Sequence, residues 1–287
     1  MIQGANSGLG LQHCDGFLYS IRMDSEQQPE TSQSDGMDPA RANAMHVALG
    51  QPADFTTGSA LPPFFHQLYF WEPQPAAALG RDGHPMVGGL IPDMGLPRRM
   101  WAAGRLAFHA PLRAGIPATR SSICENAQAK QGRSGPLAFV TLRHEVHQEG
   151  VHCLTEWQDL VYREDSAPDA VKPTPMMART DEESCREVSF SSTLLFRYSA
   201  LTFNGHRIHY DLDYARDVEG YGGLVVHGPL LAQLLMLMAQ EELGPLSSFD
   251  FRATSALMHH ETAMLCRKGR DLWVRGTDGR QCMSARA

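Results

Sequence analysis

The chain has 287 residues, 43% of them hydrophobic and 20% charged, an ordinary globular composition with enough length to bury a large core or two smaller ones. No apolar run approaches the roughly 20 residues of a membrane span, so a soluble protein without a membrane partner is expected. Twenty-five basic against 32 acidic residues give a formal charge of -7 with no basic cluster, which excludes nucleic acid as an expected partner. The six cysteines are scattered without a C-x-x-C pair, so they predict no zinc or redox site and fit a reducing, cytoplasmic setting.

Residues 4–10, GANSGLG, imitate a dinucleotide-binding turn. That turn needs a buried strand before it, and only Met1, Ile2 and Gln3 are there; the chain also lacks the Tyr-x-x-x-Lys pair of short-chain dehydrogenases. No nucleotide cofactor is expected. The stretch that follows is polar and rich in Pro, Gly, Ser and Gln, so residues 1–45 read as a flexible tail, with Met23 an alternative start to Met1.

Residues 46–164 form a first expected unit. Its runs LAFVTLRHEVHQ and VHCLTEWQDLVYRE, parted by Glu149-Gly150, predict an antiparallel hairpin. Residues 165–187, interrupted by Pro168, Pro173 and Pro175, read as a linker. In the second unit, residues 188–287, Pro229 and Gly244-Pro245 bracket a helix that is apolar through Ala239 apart from Gln233, and a helix apolar on all sides must be buried on all sides. Alternating Phe249, Phe251 and Ala253 and the Asp278-Gly279 turn then predict a meander of strands. The plan is α+β, a sheet curled around a helix. In the first unit the one candidate for a matching helix is HQLYFWEPQPAAALG, which contains Pro73 and Pro75, so a degenerate first copy is predicted.

The segment from Arg197 to Gln233, RYSALTFNGHRIHYDLDYARDVEGYGGLVVHGPLLAQ, resembles the type 2 enoyl-CoA hydratase (MaoC-like) family, above all its branch of type 2 hydroxyacyl-thioester dehydratases and mesaconyl/itaconyl-CoA hydratases. LPPFFHQLYFWEP and LPRRMWAAGRL are similar to the first half of that branch. The resemblance implies a double hotdog, two antiparallel sheets each wrapped around a central helix, with an acyl-CoA thioester in a tunnel between them. It further implies water addition to itaconyl-CoA or mesaconyl-C4-CoA to give citramalyl-CoA, with no metal and no cofactor beyond the CoA of the substrate. A homo-oligomer is left open.

By the same resemblance His209 is the catalytic histidine. The family's aspartate, five residues earlier, is Asn204 here, and its Asn-Pro is His206-Arg207. Asn204 cannot act as a base, so it is expected to orient water, while Asp211 would share the acid–base role if an extended chain placed it on the face of His209. Gly228 at the helix start would donate its N–H to the thioester carbonyl. Arg207, His227, Arg98 and Arg99 are candidate substrate contacts. The bland readings stand beside these: Asn204 as a turn residue, Gly228 as a helix start, His206 and His227 as structural, paired arginines as solvated, and Phe70, Trp71 and Trp101 as core. Two other functions remain open, a 3-hydroxyacyl-thioester dehydratase with a longer neutral tunnel, and a non-catalytic acyl-CoA-binding hotdog.

Overall fold

The computed structural model describes residues 20–21, 30–132, 135–165 and 174–287. The glycine-rich segment 4–10, Met1, Met23, Pro168 and Pro173 lie outside the described residues. The strands are β1 (Ser20–Ile21), β2 (Glu30–Asp35), β3 (Arg98–Phe108), β4 (Ala118–Gly132), β5 (Gly135–Gln148), β6 (Val151–Arg163), β7 (Ser184–Ser189), β8 (Ser248–Ala253), β9 (Thr262–Lys268), β10 (Asp271–Gly276) and β11 (Gln281–Arg286). The α-helices are α1 (Pro39–Ala48), α2 (Ser192–Leu201) and α3 (Gly228–Leu243).

β5 shows most directly why a strand forms. Ala138, Val140, Leu142, His144, Val146 and Gln148 are buried and the residues between them are not, the period of two of a sheet with one covered face. Glu149 (φ 52°) and Gly150 (φ 78°) then turn the chain back so that Gln148 faces Val151. Both central residues have positive φ, as a two-residue hairpin turn requires, and the predicted hairpin is present.

The architecture is mixed α+β around an antiparallel sheet. Where two sheets were expected, the described residues form one sheet of 11 strands, because β3 and β8 pair from Ala103↔Arg252 to Ala107↔Ser248. On one side of that seam the order is β2-β4-β5-β6-β3, and on the other it is β7-β9-β10-β11-β8. The two orders are the same list displaced by five strands.

Three expectations need correction. Residues 1–45 were expected to be a tail, yet β2 and α1 lie within or across that range. The composition misled because β2 is held by its backbone ladder to β4 rather than by apolar burial. Around it the Asp35 carboxylate accepts from Met37 N, Phe70 N and Arg41, Asp38 caps α1, and Met37, Ala42 and Met45 are fully buried. The linker range 165–187 already contains the start of β7, which pairs with β9. The first-half candidate HQLYFWEPQPAAALG forms only two 3₁₀ turns, Phe65–Leu68 and Ala76–Ala78, the chain between them carrying Pro73 and Pro75. Thus, among the described residues, only α3 fills the role of a central helix. It begins with Pro in its first turn, ends at Gly244 (φ 85°), and buries Leu230, Leu231, Leu235, Met236 and Met238 over the second half of the sheet. Among the described residues no helix is long and apolar enough to cross a membrane.

Candidate active site

α2 ends at Leu201, and Phe203 (φ 52°) reverses the chain so that Asn204 N bonds Ser199 O at 2.8 Å. Asn204 Oδ1 accepts from His206 N at 3.0 Å, an Asx turn that leads into the 3₁₀ turn Arg207–His209. The turn drives His209 inward. Its Nδ1 lies 2.7 Å from the Val225 carbonyl, which only accepts, so Nδ1 carries the proton and Nε2 keeps its lone pair. The ring stacks on His227 at 3.6 Å, and His227 Nε2 bonds Ser199 Oγ at 2.8 Å. Burial holds the His209 imidazole down at about 4, so it is neutral near pH 7.

His209 borders a cavity of about 400 Å³ that Asn204, His206, Gly228, Arg98 and Arg99 also line. Three separate stretches of chain, 98–99, 204–209 and 228, therefore meet there. At Gly228 an added Cβ would meet only the Trp101 carbonyl oxygen, at 3.9 Å, and φ is not in the left-handed region. Neither packing nor backbone demands glycine at that point. Its lack of a side chain leaves the positive end of α3 open to the cavity. Arg98 forms a largely buried ion pair with Glu219.

Three candidates stand elsewhere. His227 is fully buried behind His209 and supports its ring rather than lining the cavity. Asp211 and Arg207 pair with each other at 2.7 Å, Asp211 also accepts from Tyr214 N, and Arg207 lies over the Tyr214 ring. The extended-chain argument for Asp211 fails because His209 closes a 3₁₀ turn and the chain goes on turning, with Tyr210 N and Asp211 N both bonded to Arg207 O, so the two residues are not on one face of a strand. Trp101 both packs on Phe64 and Phe251 and lines the cavity, so the core reading of the aromatic cluster covers only part of its role.

The sequence reading missed His84. It lines the same cavity, and its Nδ1 lies 2.8 Å from Asp82 Oδ2. Its loop is docked on the turn that carries His209 by Arg207 N to Asp82 O at 2.9 Å and by the contact of Gly83 with Gly205, each of which has the other's carbonyl oxygen where a Cβ would stand. Asp-Gly is a turn signal, but nothing local shows that this turn docks against Gly205 and Arg207, far along the chain. Away from the cavity, Glu145, His147 and His152 stand close enough to share a cation, although Glu145 is ion-paired with Arg143 and His152 Nε2 bonds Leu154 O and Thr155 Oγ1.

Residues 64–259 match the family described as hydroxyacyl-thioester dehydratase type 2. The chain is 45% identical over 253 residues to a mesaconyl-C(4)-CoA hydratase of Chloroflexus aurantiacus, covering 86% of this chain and 90% of that one. Its fold is similar to that of a MaoC-like dehydratase from Phytophthora capsici (TM-score 0.66, 12% identity, 91% and 95% of the two chains). It is also similar to a Mycobacterium tuberculosis protein described as a double hotdog (TM-score 0.55, 13% identity, 92% and 96%).

Proposed function

This chain belongs to the hydroxyacyl-thioester dehydratase type 2 family, and on that premise we propose that it adds water to mesaconyl-C4-CoA or itaconyl-CoA to give citramalyl-CoA. The observation that carries the reading is one cavity in which the lone pair of a buried neutral imidazole, His209, and the open N-terminus of α3 meet. The thioester carbonyl sits over Gly228, where the backbone N–H and the helix dipole stabilise the negative charge that develops on it. Asn204 directs the attacking water, and His209 Nε2 takes its proton as the oxygen bonds to the β-carbon. Arg99 is the partner for the substrate's free carboxylate, since Arg98 is engaged by Glu219 and Arg207 lies outside the cavity. CoA enters as part of the substrate, and the chemistry calls on no further cofactor.

The displaced but identical strand orders support a double hotdog whose first copy has lost its central helix. The domain reading becomes one copy ending with β6 and a second beginning with β7. A cytoplasmic enzyme that assembles as a homo-oligomer is part of the same proposal.

Gly228→Ala is expected to leave thermal stability unchanged or slightly raised, because Ala favours a helix over Gly by up to about 1 kcal/mol. The added methyl group enters the space of the thioester, so kcat/KM should fall by about tenfold or more. Steady-state kinetics with a thermal melt check this; unchanged kinetics would remove Gly228 from the site. The function itself is tested by comparing initial rates on mesaconyl-C4-CoA, itaconyl-CoA and crotonyl-CoA. The dicarboxylyl substrates should be preferred, and preference for crotonyl-CoA would move the enzyme to the fatty-acyl dehydratase reading.

A further inference from the structure

We propose that the Asp82–His84 pair is a second proton-transfer group of the active site, the group that returns a proton to the substrate α-carbon in place of the carboxylate missing at Asn204. The inference rests on the hydration reading above. Hydration needs two proton movements, one from water and one to the α-carbon, and position 204, where the resemblance implies an aspartate, holds an asparagine that cannot carry a proton. His84 lines the cavity from the first half of the chain. Its Nδ1 faces Asp82 Oδ2 at 2.8 Å and its backbone N bonds Asp82 Oδ1 at 3.0 Å, so the carboxylate fixes the ring with Nε2 as the free nitrogen. Burial pushes the Asp82 carboxyl up, but the His84 hydrogen bond and charge hold it well below the usual range, so it is an anion ready to stabilise an imidazolium. Burial pushes His84 down and Asp82 pushes it back up, which leaves it neutral and able to accept a proton.

Three rings connect the two ends of the site. His84 and His206 are 4.4 Å apart, and His206 and His209 are 5.3 Å apart. Water's oxygen bonds to the β-carbon and its proton goes to His209; the C=C pair moves to the α-carbon and the thioester oxygen. The proton passes by way of His206 to His84, which delivers it to the α-carbon. One hydrogen of water ends on the new hydroxyl and one on carbon, and every imidazole is neutral again. The glycine contact between Gly83 and Gly205 locks this pair against the His209 turn, which explains why neither position has room for a side chain.

The test follows α-proton exchange of the hydrated product thioester in D2O together with hydration kinetics. His84→Ala is expected to lower kcat by about 10²-fold or more with little change in KM, to lose α-proton exchange, and to recover rate with added imidazole. His84→Gln, which keeps the volume, guards against a folding defect and should lose the same exchange. Asp82→Asn, a positioning change, should lower kcat while KM stays near the wild-type value. His209→Ala should lose hydration but keep α-proton exchange, because abstraction by His84 does not need it. Exchange that survives in His84→Ala, or hydration within about threefold of wild type, overturns the assignment while leaving the hydration reading intact. Absence of hydration in the wild type overturns both.

Discussion

His209→Ala is expected to lower kcat for thioester hydration by about 10²–10⁴-fold, the range associated with losing a positioned acid–base group. The effect should fall on kcat rather than on binding, because the contacts proposed for the substrate, Gly228 for the thioester and Arg99 for the free carboxylate, do not involve the ring. Affinity for a non-reactive acyl-CoA should stay within a few-fold of wild type. The variant also leaves the Val225 carbonyl without its donor and a space beside His227, at a cost of about 1–3 kcal/mol, so a modestly lowered melting temperature should accompany the kinetic loss. The working form is the neutral ring. As burial holds His209 at about 4, activity due to this base persists from neutral pH down to the mildly acidic range and falls as pH drops through that value. Activity of His209→Ala comparable to that of an active wild type would remove His209 from the chemistry, whereas retained acyl-CoA affinity with no turnover in either protein would support the acyl-CoA-binding reading.

His66→Ala is expected to cost about 3–5 kcal/mol of stability, the price of leaving one charge of a buried pair uncompensated. Glu156 is buried to 1% exposure, with His66 Nε2 at 3.1 Å and Gln67 Nε2 at 2.7 and 2.8 Å. Burial alone would push the Glu156 carboxyl up, yet the His66 charge and hydrogen bond bring it below the ordinary value. Its ionised form therefore supports the fold, fully above the ordinary carboxylate range and progressively less as pH falls through the lowered value. The pair ties the 3₁₀ turn Phe65–Leu68 to β6, in the half whose described residues include no central helix. Thermal unfolding should show a drop on the order of 10 °C, largely recovered when Glu156 is replaced by a leucine in the same variant. A loss below about 1 kcal/mol would mean that the pair is a minor support of the first half.

Periodicity and punctuation made α3, the β5–β6 hairpin and the C-terminal meander legible, because each is decided by local pattern: apolar residues all round for α3, strict alternation for β5, Asp278-Gly279 for the last turn. β2 and α1 were not legible. Their anchors are a backbone ladder and the Asp35 carboxylate, neither of which leaves an apolar pattern. At the site, the family resemblance that marks His209 also marked Asn204 and Gly228, and all three line the cavity. Asp211 was misplaced by one assumption, an extended chain where the Asx turn of Asn204 starts a 3₁₀ turn, and Arg207 by its nearness to His209 in sequence, whereas it pairs with Asp211. His84 was out of reach, since its place depends on a glycine-to-glycine contact between distant loops.

The most direct measurement is mass spectrometry of mesaconyl-C4-CoA incubated with the purified protein in oxygen-18-labelled water. The account predicts a citramalyl-CoA product carrying one labelled oxygen, formed by the wild type and lost in His209→Ala. Unchanged mesaconyl-C4-CoA after prolonged incubation, with the thioester bound but never hydrated, would contradict it.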